Sequence, residues 1–177
     1  MGMKDIATAV ERARTVLERK PAMGVHDDAP ATARWSGGTR IEASHANGTR
    51  METDMPAELG GSGDRVSPGW LFRAGIASCA ATTIAMRAAV EGIDITDLEV
   101  TVGSRSDTRG LLGMTDGAGR VVDAGPSDLR ITVRIAASGV APERLRALVE
   151  SSRERSPIPC AVESALPIDL FVDVGTR

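Results

Sequence analysis

The stretch Ser67–Gly92, SPGWLFRAGIASCAATTIAMRAAVEG, indicates the fold class of this chain because it encodes a long helix with a cysteine near its middle. Ser67 is a good residue for a helix N-cap, and Pro68 suits the first helical position. No proline interrupts the run from Gly69 to Val90, and Gly92 can end the helix. Most of its surface is apolar or small, which predicts a central, buried helix.

Length and composition indicate one folded domain. The chain has 177 residues, of which 42% are hydrophobic and 25% are charged, the balance of a soluble globular protein. The net charge is -3 and only 2% of residues are aromatic, so we expect no nucleic-acid partner. No apolar run approaches the ~20 residues that cross a bilayer, and the charged N-terminus lacks a signal-peptide core. We therefore expect no membrane partner and a cytoplasmic location.

The N-terminal segment reads as an appendage to this domain. Residues 4–19 carry apolar side chains at helical spacing, and Pro21 ends the pattern. This predicts an amphipathic helix that packs on the body of the protein or on a second subunit. We accordingly assign residues 1–25 to the helix and a linker, and residues 26–177 to the domain proper.

Short alternating segments lie between the linker and the long helix. They run from Ala31 to Glu58 and predict two or three antiparallel strands, with Asn47-Gly48 as a hairpin turn. The following segment, ELGGSGDRV, is expected to be a flexible loop. It lacks the Gly-Lys-Ser/Thr ending of a phosphate-binding loop, so we assign it no nucleotide role.

Downstream of the long helix, strands and helices alternate in the sequence pattern. Strands are predicted at 97–105 and 128–137, joined by a long glycine-rich loop, and an amphipathic helix at 141–155. The prolines of SPIPC are expected to break that helix and leave a rigid connection, and 166–174 is predicted as a final strand. This order favours an α+β fold over a doubly wound parallel sheet.

The sequence lacks the residue patterns of metal sites and of many serine hydrolases. The metal-ligand candidates are His26, His45, Cys79 and Cys160, and none of them share a short ligand spacing. The Gly-x-Ser-x-Gly motif of many serine hydrolases is also missing. We expect neither a metal site nor a bound cofactor.

The two cysteines are the remaining candidates for chemistry. A cysteine reacts as its thiolate, and Cys79, in the middle of a helix, needs a cation from another segment to favour that form. Cys160 follows the proline-rich segment, which can hold a second sulfur within reach of the first. An oxidised Cys79 sulfenic acid could then condense with Cys160 to a disulfide. The alternative is that both thiols are inert packing residues.

Two motifs resemble those of the family of osmotically inducible protein C (OsmC) and the organic hydroperoxide resistance proteins (Ohr). In that family an Asn/Ser-Pro-x-x-Leu sequence leads into the helix of the first cysteine, and the second cysteine begins a Cys-Pro-Val/Tyr-Ser-Asn-Ala-like segment. The resemblance covers roughly residues 31–175. It is carried by Ser67, Pro68, Leu71, Cys79, Cys160, Val162, Ser164, Ala165 and Leu166.

The resemblance implies an intertwined homodimer in which antiparallel sheets wrap around long central helices. It also implies a thiol-dependent peroxidase that reduces organic hydroperoxides, with hydrogen peroxide left open as an additional substrate. Cys79 would be the peroxidatic cysteine and Cys160 the resolving one. An arginine from the N-terminal strands would stabilise the thiolate, with Arg40 as the best match and Arg34 as the second. The implied reductant is a thiol or a lipoyl protein.

Two positions depart from the family pattern. A glutamate usually stands ten residues before the first cysteine, where it pairs with the arginine, and this chain has Gly69 there. The second motif lacks its usual proline and contains Glu163. Glu163 and Glu58 are candidates to supply a carboxylate, and the sequence does not place either of them. These departures keep open a small-ligand-binding or redox-sensing protein on the same fold, without enzymatic activity.

Overall fold

Two antiparallel sheets and five α-helices make up the computed structural model, which describes residues 2–175. The strands are β1 (Thr32–Gly37), β2 (Arg40–Ser44), β3 (Arg50–Thr53), β4 (Ile95–Arg105) and β5 (Ser127–Ala137). The helices are α1 (Met3–Arg19), α2 (Pro68–Val90), α3 (Thr108–Leu111), α4 (Pro142–Arg153) and α5 (Pro157–Glu163). This arrangement confirms the predicted α+β class.

The first sheet is an antiparallel meander in the order β1-β2-β3. Gly48 lies in the β2–β3 turn with φ +92°, a left-handed conformation that glycine adopts readily, so the predicted hairpin is confirmed. Strands β4 and β5 form a separate antiparallel pair in which Val100 faces Val133. Their connection holds the short helix α3 within the predicted loop.

The core lies where α2 and α4 meet the β4–β5 pair. Its buried members are Ile84, Ala88, Ile93, Leu145 and Leu148, and partly buried side chains of β4 and β5 pack against them. Helix α2 contacts α1, β4, α4 and α5, as expected of a central helix. Its ends also match the sequence pattern, because the Ser67 hydroxyl accepts the Trp70 N–H and Gly92 follows the last turn with φ +68°.

The N-terminal helix packs on the body of the same chain. Helix α1 lies against α2, and Met3 packs against the hydrophobic core. The sequence predicted packing either on the body of the protein or on a second subunit, and the structure shows the first of these. The domain boundary at residue 25 stays a prediction. Within residues 2–175, no helix combines the length and the apolarity needed to cross a membrane.

One sequence prediction for the C-terminal part is confirmed and one is wrong. The SPIPC segment breaks the helix as predicted, since α4 ends at Arg153. Pro157 then occupies the first position of a new helix, α5, where a missing N–H costs nothing. Residues 166–174 form no strand in the structure, and their apolar side chains are exposed. A strand needs a neighbour to pair with, and within the described residues this segment has none.

Candidate active site

Cys79 lies at the middle of α2, half-buried, beside the beginning of α5. The backbone N–H of Ile158 donates to Cys79 Sγ at 3.4 Å. The Ser156 hydroxyl is 3.9 Å from the same sulfur. Two polar groups of one short segment therefore meet the thiol, and both can donate a hydrogen bond to a thiolate.

Two hydroxyl groups connect this segment to α2. Ser156 has no exposed surface, and its hydroxyl donates to Thr83 Oγ1 at 3.1 Å. Thr83 in turn donates to the carbonyl oxygen of Cys79 at 2.9 Å. Sequence reasoning missed both residues. The one available signal was the position of Ser156 at the start of the proline-rich segment before Cys160.

Cys160 is half-buried on the first turns of α5, two residues beyond Ile158. Its thiol lies 3.5 Å from the carbonyl oxygen of Glu154 and 3.7 Å from that of Arg153. Both cysteines are free thiols. The fold thus brings the segment of Cys160 against Cys79, and a disulfide would require the Cys160 side chain to leave these carbonyl groups.

Arg40 belongs to a different cluster of side chains. Its Nη2 atom donates to Ser62 Oγ at 2.9 Å and lies 3.4 Å from Asp54 Oδ2, and it also forms an ion pair with Asp64. Among residues 2–175, all its side-chain hydrogen bonds and ion pairs are to this cluster and none is to either cysteine. The second candidate, Arg34, is exposed on β1 and faces Glu42 across the sheet.

Asp54 is the centre of the Arg40 cluster. It is buried, and it accepts hydrogen bonds from the hydroxyls of Ser62 and Thr39, each at 2.6 Å. The backbone N–H groups of Ser62 and Met55 add bonds of 3.0 and 2.8 Å. These donors, led by the Ser62 hydroxyl, hold the pKa of Asp54 well below its ordinary value. The pKa of Asp64 is lowered as well, because the same Ser62 hydroxyl lies between the two carboxylates and shares its single proton with them.

The glycine-rich loop was predicted to be flexible, and the structure instead ties it to Asp54. Ser62 provides the connection through both its N–H and its hydroxyl. At Gly61, an added Cβ would lie 1.8 Å from the carbonyl oxygen of Met55, so only glycine fits this close approach. The loop therefore serves to hold Arg40 and its carboxylate partners together.

At the position of the missing glutamate, Gly69 leaves room for a side chain. Gly69 lies in the first turn of α2, and an added Cβ would make ordinary contacts, the nearest at 3.6 Å from Arg73 Nη1. Glu163, a candidate substitute, pairs with Arg153 at 2.5 Å. The carboxylates that contact Arg40 are instead Asp54, directly after β3, and Asp64 of the loop. The sequence offered no pattern that singled out these two aspartates.

A cavity of about 420 Å³ opens beside the Cys79 region, between α2, β5, α4 and α5. Its walls are largely aliphatic, with the charged residues Arg130, Glu150, Arg153 and Glu163 among them. Ser156 lies both in its lining and next to Cys79. The cavity can therefore hold an apolar group near the thiol. No group of three His, Cys, Asp or Glu side chains within residues 2–175 could hold a metal ion.

The family model for OsmC-like proteins matches residues 61–171. This range contains both cysteines, the long helix α2 and the segment of α5. The match begins after Arg40, so it does not include strand β2, on which Arg40 lies. No curated protein matches the sequence.

Solved structures with the same fold come from several bacteria. An organic hydroperoxide resistance protein OsmC from Legionella pneumophila is 25% identical with a TM-score of 0.53, covering 78% of this chain and 90% of its own. An organic hydroperoxide resistance protein from Elizabethkingia anophelis is 22% identical (TM-score 0.56, coverage 78% and 89%). An OsmC-like protein from Mycoplasma pneumoniae is 15% identical (TM-score 0.64, coverage 78% and 89%).

Proposed function

The chain belongs to the OsmC-like protein family, and we propose that it reduces organic hydroperoxides with the thiols of Cys79 and Cys160. The observation that carries this proposal is the contact between the Ile158 N–H and Cys79 Sγ, which brings the segment of Cys160 to the helix of Cys79. The name of the Legionella pneumophila protein, an organic hydroperoxide resistance protein, supports the substrate class.

The proposed reaction uses the two thiols in sequence. The Cys79 thiolate attacks the terminal oxygen of the hydroperoxide, the O–O bond breaks, and the alkoxide leaves and takes a proton to become the alcohol. Cys79 is then a sulfenic acid. The Cys160 thiolate attacks this sulfur, the S–S bond forms as the S–O bond breaks, and the departing hydroxide takes a proton to become water. A dithiol, either a lipoyl group on a protein or a small thiol compound, reduces the disulfide by exchange and is itself oxidised.

Arg40 remains the proposed cation for the Cys79 thiolate. Its present partners are two carboxylates that differ in exposure, since the side chain of Asp54 is 4% exposed and that of Asp64 is 47% exposed. If Arg40 leaves Asp64 for the thiolate, water can solvate that exposed carboxylate. If it left Asp54, a buried charge would lose its partner, which is more unfavourable. In this proposal Asp54 keeps Arg40 in place, and Asp64 is the partner that it gives up.

We also propose that the active form is a homodimer. Cys79 shares one face of α2 with Phe72, Met86 and Val90, which lie at intervals of seven and four residues, and these three apolar side chains are exposed in the single chain. Burial of such a face needs an apolar partner surface. A second copy of the chain would cover it and close the site around the thiol.

The C-terminal segment supports the same proposal. Leu166, Ile168, Leu170 and Val172 alternate with other residues, and all four are exposed. Within the described residues β5 pairs with β4 alone, and its other edge lines a groove against α4. An open sheet edge accepts an added strand. In the proposed dimer, the C-terminal segment of one copy adds to this edge of the other.

The deciding experiment counts thiols by mass spectrometry on the reduced protein, before and after one equivalent of cumene hydroperoxide. Rapid loss of both thiols with a Cys79–Cys160 crosslinked peptide supports the proposal. Survival of both thiols in excess peroxide would reject it and leave the alternative of a binding protein.

The matched control is the Cys79→Ser variant, which changes one atom at the reacting position. We expect it to consume no hydroperoxide in the presence of a dithiol reductant, while its melting temperature stays near that of the parent chain. Turnover comparable to that of the parent would reject Cys79 as the peroxidatic residue.

A further inference from the structure

The hydroxyl of Ser156 is in contact with the sulfur that the proposed reaction uses. We propose that Ser156 is a catalytic residue, and that its hydroxyl changes from acceptor to donor when Cys79 ionises. This inference rests on the proposed function for its biological use. Its physical content, the pKa of Cys79, is measured without any peroxide.

When Cys79 is a thiol, a closed ring of hydrogen bonds joins the side chains of Cys79, Ser156 and Thr83 and the carbonyl group of Cys79. The Cys79 S–H can donate to Ser156 Oγ over 3.9 Å. Ser156 donates to Thr83 Oγ1 over 3.1 Å, and Thr83 donates to the Cys79 carbonyl oxygen over 2.9 Å. Each hydroxyl group thus donates once and accepts once, which suits groups removed from water.

Ionisation of Cys79 removes one donor from this ring. The sulfur then carries a negative charge and can only accept, and the Ser156 hydroxyl, which has no exposed surface, is a side-chain group in contact with it. Rotation about the Cβ–Oγ axis lets its hydroxyl turn from Thr83 to the thiolate. Together with the Ile158 N–H at 3.4 Å, two donors then meet the sulfur.

Hydrogen bonds to the charged form lower the pKa of an acid. Such donors matter here because the guanidinium of Arg40 is bound to Asp54 and Asp64 in the structure. Ser156 therefore supplies local stabilisation that does not depend on Arg40. The same hydroxyl can donate to the oxygen of the sulfenic acid after peroxide attack.

The test is the pH profile of Cys79 alkylation by iodoacetamide, followed on the Cys79 peptide by mass spectrometry in Ser156→Ala. We expect the pH profile of Cys79 alkylation to move to higher pH than in the parent chain. Because a more basic thiolate is also more nucleophilic, the alkylation rate at neutral pH should fall only roughly threefold. Ser152→Ala is the matched control, since this buried hydroxyl donates to the Leu148 carbonyl and not toward Cys79. It should leave the Cys79 pKa unchanged.

A second variant tests the opposite direction. Thr83→Val keeps the shape of the side chain but removes the acceptor that competes for the Ser156 hydroxyl, so the Cys79 pKa should fall. If Ser156→Ala does not fold, as judged by circular dichroism, Thr83→Val decides alone. An unchanged or raised Cys79 pKa in Thr83→Val would overturn the inference.

The proposed peroxidase function and the proposed role of Ser156 can be rejected independently of each other. A pKa rise in Ser156→Ala in a protein that consumes no hydroperoxide would support the role of Ser156 and reject the peroxidase. Equal Cys79 pKa values in Ser156→Ala and Ser152→Ala, in a protein whose parent reduces hydroperoxide, would overturn the role of Ser156 and leave the peroxidase standing.

Discussion

The backbone N–H of Ile158 donates to Cys79 Sγ across 3.4 Å, which fixes the first turn of α5 against the middle of α2. Pro157 makes this position possible, because a proline at the first helical position starts α5 directly after the buried Ser156. Cys160 follows on the same short helix. The contact thereby places the candidate resolving thiol in the neighbourhood of the candidate peroxidatic thiol.

Replacement of Cys160 by serine should stop the proposed cycle after one oxidation. Without the second thiol, the Cys79 sulfenic acid has no intramolecular partner and persists. We expect dimedone to label about one site per chain after peroxide treatment, on the Cys79 peptide, against little labelling of the parent. A variant that recycles with lipoyl dithiol as fast as the parent would show that Cys160 is not the resolving residue.

Replacement of Asp54 by asparagine should destabilise the protein and change its response to acid. The pKa of Asp54 is lowered by folding, so its ionised form stabilises the fold above the ordinary carboxyl range, and this contribution is lost as the pH falls through and below that range. We expect the melting temperature at neutral pH to drop by roughly 5 °C. The difference between variant and parent should shrink toward acidic pH.

Thermal melts of both proteins between neutral and acidic pH measure this difference. Glu58→Gln is a suitable control, because Glu58 is an exposed carboxylate in the neighbouring loop. A constant difference between Asp54→Asn and the parent at all pH values would contradict the assigned pKa direction.

Replacement of Leu148 by alanine should cost about 3 kcal/mol of the free energy of unfolding. Leu148 is 1% exposed in the core between α2 and α4, and truncation leaves a cavity there. Leu111→Ala removes the same atoms from a side chain that is 60% exposed and should change stability by less than about 0.5 kcal/mol. Guanidinium unfolding curves compare the two, and equal losses would contradict the described core.

Introduction of a charge into the C-terminal segment should weaken the proposed dimer. Ile168 is 92% exposed in the single chain, and in the dimer it would be buried at an interface, where an unpaired aspartate is unfavourable. We expect size-exclusion chromatography with light scattering to give a dimer for the parent and a mostly monomeric Ile168→Asp. Asp169→Asn, at the neighbouring position, is the control. A monomeric parent would reject the proposed assembly.

The sequence predicted those parts of the fold that local patterns determine. The limits of α2 follow from Ser67, Pro68 and Gly92, and the β2–β3 hairpin follows from Asn47-Gly48. The alternating pattern of β5 predicted that strand within one residue. Each of these depends on side-chain periodicity or on turn chemistry between near neighbours. The family motif likewise marked both cysteines.

Contacts between distant residues lay beyond those patterns. Residues 166–174 have the alternation of a strand and yet form none in this chain, because strand formation depends on a pairing edge and not on the segment itself. Arg40 was identified as a candidate, but its binding to Asp54 and Asp64 depends on how the glycine-rich loop closes. Local sequence contains no information on that closure.

The sequence by itself therefore determined the elements of this protein, its two thiols and its family resemblance. The tertiary structure decided which groups meet those thiols. Ser156 and Thr83 are 73 positions apart and carry no motif, and they became candidates only because α5 packs on α2. The physical reason is that periodicity and turn chemistry act over a few residues, whereas the hydrogen bonds around a reacting sulfur join side chains that only packing brings together.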